Sequence, residues 1–191
     1  MGDKASFFSL VRSDLPDIVC LQETGMPELT FPDYTRLEGY HSESAFDPNG
    51  IGTTGVSVLT RDRPNFFRRT VCDAEVEHDK CRGRFIAATW STFSVSSVYA
   101  PNPDASNGRP NQARFLDCLQ KHMLRHSHET YIVTGDFNTI LGDSDTYDRV
   151  KTRSSPWANL KARAMIGAIF EGGWFDTFRR IHGQGPRRVS V

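Results

Sequence analysis

The chain has 191 residues, enough for one sizeable α/β domain and too few for two comfortable ones. Its 23 basic and 23 acidic residues balance, so net charge predicts no particular partner, and an enzyme with a local basic face is still allowed. No stretch has the apolar length of a membrane span, and the first residues do not begin a signal peptide. We therefore expect a single intracellular domain over residues 1–191, cytoplasmic if the source is bacterial.

The first half of the chain is predicted to form one helix followed by strands. Residues 7–12 have a helical pattern and lead directly into residues 17–22. That second segment is a nearly continuous apolar run, which predicts a strand buried on both faces. Residues 50–55 predict a flexible turn before residues 56–60, where the period-two pattern indicates a further strand.

The second half begins with a predicted hairpin. Residues 84–90 and 93–99 are β-type runs separated by Ser91 and Thr92. Residues 130–134 predict another buried strand, which ends at Gly135. Strands that pair mainly as hairpins and are covered by helices predict an α/β fold of the two-sheet sandwich type.

Two further helices follow from apolar residues at helical spacing. In residues 112–126 the apolar stripe consists of Phe115, Leu116, Leu119 and Met123. In residues 156–170 the predicted stripe consists of Trp157, Leu160, Ala164, Ala168 and Ile169, and the helix is stopped by Gly172 and Gly173.

The four cysteines include no Cys-x-x-Cys pair, and Cys20 and Cys118 lie within apolar segments. This pattern is typical of free, buried and unreactive thiols in a reducing compartment. We expect all four to be free.

Polar residues that can support phosphate chemistry stand at the ends of three predicted strands, where loops usually build sites. Glu23 closes the first strand and offers the oxygen ligand that a hard cation prefers. Tyr99 closes the hairpin, and Asn102 follows between two prolines; both side chains can donate to a phosphate oxygen. Asp136 and Asn138 follow Gly135, and an extended backbone would put them on one face to orient a water.

The ordered set LQET, GVSVLT, VYAPN and GDFN resembles the endonuclease/exonuclease/phosphatase superfamily. The Gly83-Arg84-Phe85 stretch and the late GWFDTFRR segment are similar to its exonuclease III and abasic-site endonuclease branch. The resemblance runs over residues 6–182. It implies a four-layer, DNase I-like sandwich whose first and last strands are incomplete here.

The resemblance implies a role for each candidate residue. Glu23 would bind a divalent metal, Mg²⁺ or Mn²⁺, and Asp136 would orient or deprotonate the attacking water. Asn138 would help to position that water, Tyr99 would contact the scissile phosphate, and Asn102 would contact the DNA backbone. The implied partner is DNA with an abasic site or a 3′ end, cut by a monomeric enzyme that does not bind membranes.

Two parts of the family pattern are missing. No Asn precedes Glu23, where the family has an Asn-bearing first strand, and the sequence contains no Asp-His dipeptide. We therefore expect a fragment of an exonuclease III-like enzyme, weakly active as it stands, because losing one group that stabilises the transition state typically costs ~10² to 10³ in rate.

Two other functions are consistent with the same residues. The first is an inactive DNA-binding remnant, with phosphate contacts from Arg61, Arg63, Arg68, Arg69, Arg179 and Arg180. The second is a lipid or inositol phosphatase of the same superfamily. A further question is whether Asp143, Asp145 and Asp148 form a second cation site or, as we expect, cap their own loop.

Overall fold

The computed structural model describes residues 4–25, 38–47, 54–72, 81–103, 108–142, 145 and 159–183. The chain divides into two compact units. Unit 1 is formed by Met1–Thr70, Cys81–Tyr99 and Tyr131–Asp136, and unit 2 by Val71–Lys80, Ala100–Thr130 and Phe137–Val191.

The described part of unit 1 contains one helix and two sheets. The elements are α1 (Lys4–Asp14), β1 (Ile18–Gln22), β2 (His41–Ala45), β3 (Val56–Thr60), β4 (Phe66–Arg68), β5 (Phe85–Thr89), β6 (Ser94–Tyr99) and β7 (Tyr131–Asp136). Sheet A has the order β1-β3-β2 and sheet B the order β4-β5-β6-β7. The β6–β7 pair is parallel, and the other described pairs are antiparallel.

The two sheets of unit 1 pack on a shared apolar core. Val56 and Val58 of sheet A join Ile86, Ala88 and Tyr99 of sheet B in one buried cluster. Alternate strand residues point to opposite faces. Leu59, next to Val58, therefore packs on the other side of sheet A, against Val11 of α1 in a second cluster. The predicted two-sheet sandwich is confirmed, as is the predicted hairpin, whose strands are β5 and β6.

Burial of the individual strands differs from the sequence-based expectation. β1 was expected to be buried on both faces, yet all five of its residues are half-buried because it is an edge strand of sheet A. β7, also expected to be buried, alternates between half-buried and exposed residues because it is the edge of sheet B. β3 has a period-two sequence but is central and wholly buried, and its Ser57 hydroxyl pairs with that of Ser44 at 2.6 Å.

The described part of unit 2 contains three helices, which are α2 (Gly108–Arg125), α3 (Leu160–Glu171) and α4 (Thr177–His182). Helices α2 and α3 pack against each other. The predicted stripe of α2 is confirmed, since Phe115, Leu116, Leu119 and Met123 are all buried. Trp174 follows α3 and donates its indole N–H to the Met123 carbonyl at 2.9 Å.

The stripe predicted for α3 was largely wrong. The helix begins after its N-cap Asn159, and its buried residues are Ala162, Ile166 and Ile169. Leu160 is 78% exposed, because it stands in the first turn on the opposite side of the helix. The start predicted at Pro156, with Trp157, lies outside the described residues. The predicted stop is confirmed, since Gly172 caps the helix.

The cysteines divide into two groups. Cys20 and Cys118 are free, as expected. Cys72 and Cys81 are disulfide-bonded, so the expectation of four free thiols was wrong. Burial raises the pKa of the Cys20 thiol to about 11. Within the part of the chain that is described, no helix is long and apolar enough to cross a membrane.

Candidate functional site

Parallel pairing of β6 and β7 brings two candidate residues together at the same end of sheet B. Tyr99 and Asp136 are the last residues of their strands and are partners in the register. One pair earlier, Gly135 lies opposite Val98 with φ +136, and a Cβ there would stand 2.0 Å from the Val98 carbonyl oxygen. Only glycine permits this approach. From the sequence, Gly135 allows either an unusual turn or the close approach of a ligand, whereas the group that approaches it in the structure is the Val98 backbone of β6.

Glu23 is held at the end of β1 by contacts on both sides of it. Gln22 donates its amide to Ser97 Oγ of β6 at 2.8 Å, and Ser97 Oγ donates to the Leu21 carbonyl at 3.1 Å. On the other side, the Thr24 amide donates to the Gly55 carbonyl at 3.2 Å. Glu23 itself has φ +54, a left-handed backbone that is uncommon outside glycine and costs free energy wherever it is kept.

The Tyr99 hydroxyl lies close to the carboxylates of Glu23 and Asp136. It hydrogen-bonds the Glu23 carboxylate, and Asp136 is close enough to act on it electrostatically. Burial is the first cause that raises the pKa of Tyr99, followed by its hydrogen bond to Glu23. The phenol is therefore protonated at neutral pH and donates to a carboxylate, while the Glu23 and Asp136 side chains are exposed. Glu23, Tyr99 and Asp136 thus come together, and we call them the carboxylate site.

Arg84 contacts Tyr99 in three ways and was not assigned a role from the sequence. Its guanidinium carbon lies 5.1 Å from the centre of the Tyr99 ring, and its Nη1 donates to the Tyr99 carbonyl at 3.3 Å. The Tyr99 amide in turn donates to the Arg84 carbonyl at 2.9 Å. Burial lowers the pKa of Arg84, and the positive charge of Arg84 lowers that of Tyr99. The one available signal was its place directly before β5, in the Gly83-Arg84-Phe85 stretch.

In unit 2, Asn138 is buried and held by two hydrogen bonds. Its side-chain Nδ2 donates to the Ala100 carbonyl at 2.7 Å, and its own carbonyl accepts from Gln112 Nε2 at 2.7 Å. Its φ is +47, so the extended backbone on which a shared face for Asp136 and Asn138 was conditional is not present at Asn138. Asn102, two residues after Ala100, is half-buried.

The loop after Asn138 is capped by Asp145. The Asp145 carboxylate accepts from the amides of Leu141 and Gly142 at 2.8 and 3.0 Å, and it also pairs with Arg179. The expected capping role is confirmed for Asp145. Asp143 and Asp148 lie outside the described residues.

Several arginines considered for DNA contact are engaged with acidic partners. Arg61 pairs with Asp17 at 3.4 Å, and Arg69 pairs with Glu43. Arg179 pairs with both Asp145 and Asp176. These ion pairs reduce the positive charge that the arginines can offer to a phosphate backbone.

The carboxylate site has the chemistry that a small hard cation requires. Mg²⁺ prefers oxygen ligands, and it is commonly held by one or two carboxylates while it keeps several waters. Glu23 and Asp136 supply two exposed carboxylates, and the left-handed turn at Glu23 fixes the direction of the first. In the described part of the chain, no cluster of three acidic side chains is close enough to hold an ion. The residues therefore fit a largely hydrated divalent ion.

The sequence matches the Endonuclease/Exonuclease/phosphatase family over residues 2–189, and the chain belongs to that family. This match confirms the family resemblance found from the motifs. The chain is 28% identical over 176 residues to the DNA repair nuclease APEX1 of Danio rerio and 29% identical over 195 residues to an exodeoxyribonuclease of Streptococcus pneumoniae. These matches cover 90% and 91% of this chain but 56% and 67% of the relatives, so the chain spans little more than half of the first one.

Solved structures show the same fold. An AP endonuclease from Archaeoglobus fulgidus has a TM-score of 0.79 at 22% identity, over 93% of this chain and 68% of its own. The 3′ phosphatase NExo from Neisseria, bound to a product DNA hairpin, has a TM-score of 0.81 at 23% identity, over 95% of this chain and 70% of its own. At this identity the likeness establishes the fold, which is the predicted DNase I-like one.

Proposed function

We propose that this chain carries a divalent-metal-dependent DNA phosphodiesterase site of the exonuclease III and abasic-site endonuclease type. The observation that carries the proposal is the carboxylate site, where Tyr99 hydrogen-bonds Glu23 beside Asp136 at the end of sheet B. Two exposed carboxylates and a neutral hydroxyl donor provide a cation ligand, a base and a phosphate contact. These are the groups that phosphodiester hydrolysis requires.

Each residue has a defined task in the proposed reaction. Glu23 holds the metal, which when bound neutralises charge on the phosphoryl oxygens. Asp136 accepts a proton from the attacking water, whose oxygen bonds phosphorus as the opposite phosphorus–oxygen ester bond breaks. The leaving oxygen takes a proton from solvent. The Tyr99 hydroxyl, which has one proton to donate, turns from Glu23 to a phosphate oxygen. Asn138 as a positioner of the water and Asn102 as a backbone contact are further parts of the proposal.

DNA is the proposed substrate because the relatives that match along most of this chain are a DNA repair nuclease and exodeoxyribonucleases. The family uses a divalent metal, and we propose Mg²⁺, or Mn²⁺ in its place. A monomer located inside the cell, where such DNA lies, is part of the same proposal.

Incision of a labelled duplex with one abasic-site analogue tests the proposal. The assay is run with Mg²⁺, with Mn²⁺, with EDTA, and with Asp136→Asn, which keeps the shape of the side chain and removes its basicity. We expect metal-dependent incision that EDTA abolishes and that Asp136→Asn lowers by ~10² to 10⁴. Folded protein that binds the duplex without cutting it would instead identify a DNA-binding remnant. Release of phosphate from an inositol phosphate, with no incision, would identify a phosphatase.

A further inference from the structure

The interior of unit 2 contains a series of side-chain amides that ends at Asn138. Gln112 of α2 is fully buried, with 0% of its surface exposed. Its Nε2 donates to the Asn138 carbonyl at 2.7 Å, and its Oε1 accepts from Asn159 Nδ2 at 3.3 Å. Asn138 Nδ2 then donates to the Ala100 carbonyl at 2.7 Å.

The direction of these hydrogen bonds is fixed at one end by backbone carbonyls, which can only accept. Ala100 therefore requires Nδ2 of Asn138, and the Asn138 carbonyl requires Nε2 of Gln112. The Gln112 oxygen must then face Asn159, whose own oxygen accepts from the Lys161 amide at 3.1 Å at the start of α3. The amides consequently donate in one direction, from the N-terminus of α3 to Ala100. Turning over the side-chain amide of Gln112 or of Asn159 would break two of these bonds, and turning over that of Asn138 would break its bond to Ala100.

The bond from Gln112 reaches a residue whose backbone is in the left-handed region. Asn138 has φ +47, a left-handed conformation that asparagine tolerates better than most residues and that surrounding contacts help to hold. A buried amide whose donor and acceptor are both used forms a rigid support, since an unsatisfied group there would cost more than the bond contributes.

We propose that Gln112 is a positioning residue, which holds the backbone of Asn138 and so fixes where the Asn138 side chain stands for catalysis. The proposal rests on the proposed function insofar as Asn138 serves the reaction. Gln112 was not found from the sequence, because a glutamine in an amphipathic helix has the pattern of an exposed residue.

Gln112→Met removes both hydrogen bonds and nearly keeps the volume, and Gln120→Met is its matched control on the same helix. We expect Gln112→Met to lower kcat for the abasic duplex by ~10 to 10² with little change in KM, as for a misplaced catalytic group. In an Asn138→Ala background, Gln112→Met should not lower kcat further, because the Asn138 side chain through which it acts is already absent. Additive losses in the two variants, or equal losses from Gln112→Met and Gln120→Met, would overturn the proposal.

Hydrogen–deuterium exchange gives a second readout that needs no activity. Amides of residues 137–141 should exchange at least ~10-fold faster in Gln112→Met and unchanged in Gln120→Met. If Gln112→Met does not fold, Asn159→Ala takes its place. Faster amide exchange from the first turn of α3 to residues 137–141 would support the series of hydrogen bonds. Faster exchange confined to α3 would contradict it. A wild-type chain that does not incise DNA would refute the proposed function, while the exchange result would still decide the role of Gln112.

Discussion

Glu23 and Asp136 of unit 1 expose their carboxylates at the ends of strands, whereas Gln112 and Asn138 of unit 2 are buried and hydrogen-bonded in series. The first pair can meet a hydrated cation, because ionised groups are expensive to bury without partners. The second pair has no charge to desolvate, so its amides can be enclosed and made rigid. The difference separates exposed carboxylates, which can meet a cation or accept a proton, from enclosed amides, whose positions are fixed by hydrogen bonds.

The largest effect is expected beneath the carboxylate site rather than in it. Gly135→Ala places a methyl group against the Val98 carbonyl and forces a strained φ, so we expect a loss of about 3 kcal/mol or more in the free energy of unfolding. Gly173→Ala is the control, since φ there is +100 but nothing lies within 4 Å. Its loss should be about 1 kcal/mol. Urea unfolding of both variants checks this, and equal losses would show that strain alone matters.

Glu23→Gln should separate metal binding from stability. The amide can still accept from the Tyr99 hydroxyl but is a poorer cation ligand, so the Mg²⁺ concentration for half-maximal incision should rise by ~10 to 100-fold. Stability should change by less than about 0.5 kcal/mol, because the side chain is exposed. Glu171→Gln, an exposed acid of α3, is the control. An unchanged Mg²⁺ dependence would remove Glu23 from the cation site.

Tyr99→Phe keeps the ring against Arg84 and removes only the hydroxyl. A hydrogen bond to a charged group contributes about 1.5–3 kcal/mol, so we expect incision to fall by at least ~10-fold. Tyr40→Phe is the matched control, because its hydroxyl donates to the Pro16 carbonyl at 2.6 Å. That variant should lose stability but not turnover. Equal turnover in Tyr99→Phe and Tyr40→Phe would show that the Tyr99 hydroxyl does not take part in the reaction.

The smallest effect is expected at Asp176, which caps α4 by accepting from the Arg179 amide at 2.9 Å. Burial raises the pKa of Asp176, but the amide and guanidinium of Arg179 outweigh it, and the net pKa is lowered. The ionised carboxylate therefore stabilises the fold at pH values above its unfolded pKa of about 4. This stabilisation is lost as the pH falls through the lower pKa of the folded state. Asp176→Ala should cost about 1 kcal/mol at pH 7.

Asp176→Asn keeps the cap and removes the charge, so it isolates the pH-dependent part. The stability difference from wild type should shrink as pH falls below about 4. Urea unfolding at a series of pH values from acid to neutral measures this difference. Incision should be unchanged in Asp176→Ala and in Asp176→Asn. A difference that does not vary with pH would exclude the carboxylate charge as its source.

How far the sequence could predict this molecule depends on whether a feature is local. The positions of Glu23 and Asp136 at strand ends were predictable, because the strands before them have clear sequence patterns. The burial of β1 and β7 was not, since edge position is decided by which strands pair in three dimensions. Gln112 was hidden for the same reason: its partners Asn138 and Asn159 are distant in the chain, and no periodicity indicates that a polar residue will be enclosed.

The parallel pairing of β6 with β7 also has a consequence for the order of folding. The antiparallel pair β5–β6 joins neighbouring segments, but β7 can pair only after the whole connection Ala100–Thr130 has been closed. Closing a long loop costs conformational entropy before any contact between β6 and β7 can stabilise the chain, so the β6–β7 pair should form late in folding. Tyr99 and Asp136 meet only in that step. A cation held by the carboxylate site would therefore bind the native state and not folding intermediates that lack this pairing. Its binding would stabilise the native state alone.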